Sequence, residues 1–280
     1  MLANLTLIRI ISGTLLYVAV VWVILVAHEY FILALLAIAA VLIGWEWFAL
    51  IIKEPRYKKL LSPLLLLAPL LSYLALEYTA QYFIVKYYMV AISGIWFTWA
   101  MVQTANYDRN PRSISRPPHL QALAIINAIT LISIFIYFTL ILYAYSREIV
   151  FAVFTMVCFC DSGGYIFGRW LGGKKLSVNL SPNKTFSGAA GSTFLTLGAY
   201  VMLASFFDDL PLSPLAVLLI IPFSIMLQCG DLYQSMLKRH SSIKDSGSLI
   251  PGHGGIFDRA DGLLWSSFPF YLILTLTETL

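Results

Sequence analysis

Apolar stretches of about 20 residues recur along the whole chain, separated by short polar segments, and this pattern leaves few folds open. A stretch of that length rises about 30 Å as an α-helix, the thickness of a bilayer's hydrocarbon core. The strands of a membrane barrel are about half as long and alternate apolar with polar positions, which these runs do not. Composition closes the soluble alternative: 60% of the 280 residues are hydrophobic and 11% are charged, against about 25% charged in soluble domains. The expected fold class is therefore all-α, a polytopic membrane helix bundle of about nine transmembrane helices, at residues 10–27, 30–52, 60–76, 82–101, 120–142, 149–167, 188–206, 211–230 and 262–280.

Cations test the count and orient the chain, because cytoplasmic loops retain Lys and Arg. With the amino terminus inside, all but Lys86 and Arg147 of the 18 lysines and arginines fall on the inner side. A miscounted span would scramble that alternation, so the sequence predicts an N-in, C-out protein. The first run is long and no small-x-small cleavage site follows it, so it reads as a retained span and not a signal peptide. The cysteines Cys158, Cys160 and Cys229 lie in apolar runs and are odd in number, which argues for packing roles over a disulfide framework.

Residues 1–145 form an amino-terminal transmembrane region of about five spans with few chemical motifs. Within it, Glu46 in Gly44-Trp45-Glu46-Trp47 is an ionisable group inside a span, where charge is costly; it is a functional candidate or a helix-packing hydrogen bond. The stretch 103–119 reads as a solvated connector whose Pro117-Pro118 marks the next helix start, and His28 and His119 read as interfacial groups. Lys53, Lys58 and Lys59 suit attraction to anionic lipid.

Residues 146–280 form a carboxyl-terminal transmembrane region with the chemistry, concentrated in cytoplasmic loops 168–187 and 231–261. Asp161 sits about two turns from the inner end of its helix and needs a partner there. Gly164 and Gly168 fall near the same face and permit close helix approach. Ser181-Pro182-Asn183-Lys184-Thr185, followed by Phe186-Ser187-Gly188, looks like a turn opening a helix, where anions are favoured. The segment 230–261 then packs Asp231, Asp245, Asp258 and Asp261 together with Lys238, Arg239, Lys244, Arg259, His253 and a glycine-rich turn. Carboxylates hold a hard metal ion, Lys and Arg hold phosphate oxygens, and glycines let backbone N–H groups approach an anion. Asp231, Ser235 and Lys238 would share one stripe of a continuing helix, and Asp258 and Asp261 one face if the last helix begins there.

Those residues also carry a resemblance. Ser235, Lys238, Arg239, Lys244, Asp245, Pro251, His253, Gly254, Gly255, Asp258, Arg259 and Asp261 stand in register with the phosphatidate cytidylyltransferase (CDP-diacylglycerol synthase) pattern, S-x-x-K-R-x4-K-D and then P-x-H-G-G-x-x-D-R-x-D. Residues 181–188 resemble the family's second block, S-P-x-K-T then an aromatic, an acidic or amide residue and glycine. Ser187 departs from that pattern where Glu or Gln is usual. The match is close in the carboxyl-terminal half and only in pattern before it.

The resemblance implies an inner-membrane enzyme, its site facing the cytoplasm, that converts CTP and phosphatidate to CDP-diacylglycerol and pyrophosphate in phospholipid biosynthesis. It implies Mg²⁺ held by Asp231 and Asp258 with Asp261 as third ligand, and leaves room for a second cation of unspecified identity. Asp231, Asp258, Asp261, Lys238 and His253 are then the catalytic candidates. Ser181, Lys184, Thr185, Ser235, Arg239, Lys244, Arg259 and Asp161 are the candidates for binding substrate. Membrane lipid and a second copy of the chain are the implied partners, with no nucleic acid. Two enzyme alternatives share this topology and loop chemistry, a CTP-dependent lipid kinase and an ether-lipid cytidylyltransferase. A transporter with buried acids is a third, although paired broken helices in matching halves are not evident.

Overall fold

A computed structural model describes residues 2–52, 66–81, 83–110, 118–241, 243, 246, 247 and 255–279, and every described element is helical. In chain order these are α1 (Leu2–Val26), α2 (Glu29–Ile51), α3 (Leu67–Gln81), α4 (Phe83–Arg109), α5 (Pro118–Tyr145), α6 (Arg147–Leu171), α7 (Phe186–Ala204) and α8 (Pro214–His240). A 3₁₀ turn at Phe257–Arg259, α9 (Asp261–Leu264) and α10 (Ser267–Leu276) complete the described chain. Among the described residues six helices are long and apolar enough to cross a membrane: Tyr30–Ile51, Ile84–Arg109, Ile125–Tyr145, Arg147–Leu171, Phe186–Ala204 and Pro214–His240. Gly13–Val26 and Ser267–Leu276 are shorter apolar helices. The chain is thus a multi-pass membrane helix bundle, and large apolar side chains, among them Trp22, Ile95 and Phe194, stand exposed on its outside.

Helix α5 is the centre, the most buried of the six at 61%. Side-chain hydroxyls tie its neighbours to it: Ser72 of α3 donates to the Ser133 carbonyl and Ser267 of α10 to that of Phe135, both at 3.1 Å. An aromatic cluster fills the space between α2, α4, α8 and α9, with the Trp265 ring 4.7 Å from Phe97 and 5.7 Å from Tyr233, and Trp47 5.1 Å from Phe257. Gly230 makes this possible, since a Cβ there would lie 2.5 Å from the Trp265 ring.

Of the element boundaries that differ from the sequence expectation, three have a clear physical reason. The eighth helix runs ten residues past Gly230 to His240. Tyr233, Gln234 and Met236 are buried on protein there, and Lys238, Arg239 and His240 suit the negative helix end. The last span is broken at Trp265–Ser266, because a continuous helix would drive the Pro269 ring into the carbonyl four residues back. Residues 103–109, expected in a connector, complete α4.

Candidate active site

Seven of the candidate site residues gather where α6, α7, α8 and the 257–261 turn meet. They line a cavity of about 340 Å³ whose walls include Asp161, Lys184, Thr185, Asp231, Asp258, Arg259 and Asp261. Glycines bring α6 and α7 close enough to form one wall. A Cβ on Gly163 would stand 2.5 Å from the Gly191 carbonyl oxygen, and one on Gly188 2.8 Å from that of Gly164. Gly164 and Gly168 do lie at this crossing, as expected; the tighter contact, Gly163 against Gly191, is an addition.

The loop entering α7 is shaped by its own hydroxyls and by two distant side chains. Helix α6 stops at Gly172, whose φ of 59° is left-handed and favours glycine. Thr185 caps α7, its hydroxyl accepting from the Gly188 N–H at 3.1 Å. Ser187 donates to the Gly172 carbonyl and lies 2.9 Å from the Thr185 hydroxyl, so the shorter side chain at this position ties the loop to itself. Asp108, from the end of α4, accepts from the Ser177 hydroxyl at 2.6 Å and the Asn179 N–H at 3.2 Å. Arg239 donates to the Leu180 carbonyl at 3.3 Å, which places it on the back of this loop. Lys184 is thereby aimed inward, where its ammonium pairs with the Asp231 carboxylate.

From α8, Ser235 lies on the same stripe and donates to Asp231 at 3.5 Å, and Lys238 pairs with Asp258 at 3.0 Å. The 3₁₀ turn separates Asp258 from Asp261, so the two acids do not share a helix face. Asp258 instead accepts from the backbone N–H groups of Ser246 and Gly255. Burial alone would raise its carboxyl, but these two bonds and Lys238 outweigh it and hold the group below the usual range. Asp261 is pushed well above that range, first by burial and then by the charges of Asp231 and Asp161. The buried Gln234 amide spans the Phe257 carbonyl (2.8 Å) and the Asp261 N–H (3.3 Å), satisfying both when its nitrogen faces the carbonyl. Lys244 and His253 lie outside the described residues, and Ser181 contributes its carbonyl to the Lys184 N–H.

Whether such a site suits a divalent ion can be judged from its donors. Four carboxylates line one cavity, an all-oxygen, anionic set of the kind hard ions take, and the Lys184 ammonium already stands as a cation on Asp231. Among the described residues no three His, Cys, Asp or Glu side chains converge on a single point, so in this conformation lysines are the counter-charges. Sequence inspection missed Asp108, Gln234 and the Gly163–Gly191 contact. A buried glutamine on an apolar helix was the only one of these with a signal of its own.

Comparison with known proteins gives the same direction. The model of the cytidylyltransferase family matches residues 7–277. A phosphatidate cytidylyltransferase of Bacillus subtilis (strain 168) is 41% identical over 136 residues, 47% of this chain and 49% of the relative. Those of Staphylococcus haemolyticus (strain JCSC1435) and Brucella suis biovar 1 (strain 1330) are 44% identical over 113 residues and 43% over 123. These cover 40% and 43% of this chain, and 43% and 44% of the relatives. The chain thus spans about half the length of the curated relatives it matches.

Proposed function

The chain belongs to the cytidylyltransferase family, and from that premise we propose that it transfers the cytidylyl group of CTP to phosphatidate, giving CDP-diacylglycerol and pyrophosphate. The observation that carries this reading is the cavity in which Asp161, Asp231, Asp258 and Asp261 face Lys184 and Arg259 at one end of the long apolar helices. Two anions have to meet for the reaction, so the barrier is chiefly electrostatic. A lipid phosphate oxygen attacks the α-phosphorus, the bond from that phosphorus to the bridging oxygen breaks, and pyrophosphate leaves. A phosphomonoester is largely dianionic at neutral pH, so the nucleophile needs no residue to take its proton. Lys184 and Arg259 neutralise the triphosphate, and Thr185 fixes Lys184 by holding the start of α7. Lys238 keeps Asp258 in place. Asp231, Asp258 and Asp261 do not converge on one point in this conformation; drawn together they would hold Mg²⁺, which when bound neutralises phosphate charge and orients the triphosphate. The helix walls from α6 to α8 keep bulk water from the attacked phosphorus.

In the same reading the site faces the cytoplasm of an inner membrane and the active form is a homodimer. The test is a reaction of pure protein with CTP, Mg²⁺ and phosphatidate in detergent. Label from α-labelled CTP should enter the organic phase as a nucleotide-bearing lipid, and γ-label should stay in water as pyrophosphate. Diacylglycerol should not replace phosphatidate, since it lacks the attacking oxygen. Movement of γ-label into lipid would establish a lipid kinase instead, and an ether-linked acceptor preferred over phosphatidate would favour the ether-lipid enzyme.

A further inference from the structure

One carboxylate of the amino-terminal half reaches the catalytic segment. Glu46, on α2, is 3% exposed, and among the described residues its hydrogen-bond partners are Ser246, Ile256 and Phe257. Its Oε1 accepts from the Ile256 N–H at 3.2 Å; its Oε2 accepts from the Phe257 N–H at 2.9 Å and the Ser246 hydroxyl at 2.8 Å. Ser246 is shared: its backbone N–H goes to Asp258 at 2.9 Å while its hydroxyl goes to Glu46. The glycines beside it are set by the same group. A Cβ on Gly255 would lie 2.0 Å from Glu46 Oε2, and one on Gly247 2.5 Å from Oε1. Successive backbone N–H groups around a carboxylate form an anion nest, and a carboxylate left bare in a membrane helix would be costly.

We propose that Glu46 is a positioning residue: from α2 it fixes Ser246, Gly247 and residues 255–257 so that Asp258 and Arg259 present themselves to the cavity. It does not line the cavity and touches no reacting atom. The proposal rests on the cytidylyl-transfer reading for its effect on rate, but the docking it describes can be measured without turnover. The second motif loop, held by Asp108 through Ser177 and Asn179, serves as the internal reference.

The test compares wild type with Glu46→Gln, Glu46→Asp and, as a control at an exposed acid, Glu77→Gln, all in detergent as full chains. Glutamine keeps the size but offers a single acceptor oxygen. In hydrogen exchange, Glu46→Gln should speed the 255–260 peptide by at least about tenfold, the size expected for lost buried hydrogen bonds, and leave 177–185 unchanged. Its kcat, per folded protein, should fall on the order of 10²-fold through misplacement of the site, with KM for CTP changing far less. Glu46→Asp, which keeps the carboxylate, should fall between. If Glu46→Gln does not fold, Gly255→Ala tests the same docking, since it retains Glu46 and drives the loop off it. Unchanged exchange at 255–260 overturns the proposal, as does faster exchange there with kcat at the wild-type value. Wild type that makes no CDP-lipid would instead sink the functional reading, and the exchange data would still decide whether Glu46 docks the loop.

Discussion

Asp231, Asp161 and Asp261 crowd enough negative charge into one cavity that some cation must accompany them, and Lys184 takes that place on Asp231. Asp231→Asn keeps the shape and removes the charge, so turnover should fall by at least about 10²-fold, roughly 3 kcal/mol of transition-state stabilisation. Steady-state rates across a Mg²⁺ series check it, and near-normal turnover at ordinary Mg²⁺ would remove Asp231 from the proposed ion site. Asp261 gives a stability test with a fixed sign. Its folded carboxyl is held well above the usual range, so between the unfolded value, about 4, and the raised one the folded protein binds the extra proton. The stability this group contributes is therefore complete at low pH and is lost as pH rises through the folded value. Without divalent ions, wild type should lose thermal stability from about pH 4 upward relative to Asp261→Asn, and added Mg²⁺ should restore it. Parallel melting curves for the two proteins across that range would refute the assignment.

At the scale of elements, the wall between α6 and α7 depends on small residues more than on any polar contact. Gly163 faces the Gly191 backbone with no space for a Cβ, whereas nothing lies within 4 Å of a Cβ placed on Gly198 in the same helix pair. Gly163→Ala should destabilise the protein by about 1–3 kcal/mol through overpacking. Gly198→Ala should stabilise it by about 0.5–1 kcal/mol, because alanine loses less backbone entropy in a helix. Unfolding of both variants in a denaturing-detergent titration measures the difference, and equal shifts would show that the wall is not glycine-limited. Much at this scale was legible in the sequence. Thr185 at the start of α7 and the Gly164–Gly168 approach follow from local rules about caps and small residues. The break before α10 was not read, because Pro269 sits inside an apolar run that continues across it. The Gly163–Gly191 contact was not legible, since it needs the relative rotation of two helices that no local pattern specifies.

Taken as a whole molecule, the bundle assigns its two halves different duties that composition does not separate. The carboxyl-terminal half holds the cavity, and its motif residues Asp231, Lys184, Asp258 and Asp261 announce themselves by charge in an apolar chain. The amino-terminal half looks silent because its contributions, Glu46 and Asp108, are single acids whose partners lie about 200 and 70 residues further on. Long-range pairings of that kind leave no periodicity to read. The arrangement also has to be consistent with one orientation in the membrane, because both motif loops meet at one cavity and must lie on one side. The loop carrying Asn179 joins α6 to α7 at the cavity end, while Asp208 lies in the α7–α8 connection at the other end of α7. If cations hold the cavity end inside, single cysteines at these two positions, in a background with Cys158, Cys160 and Cys229 replaced, should differ in intact cells. The cysteine at 208 should react with a membrane-impermeant thiol reagent. The one at 179 should react only after the membrane is opened. Labelling at 179 from outside would turn the whole bundle over and place the cavity away from cytoplasmic CTP, which the proposed reaction could not survive.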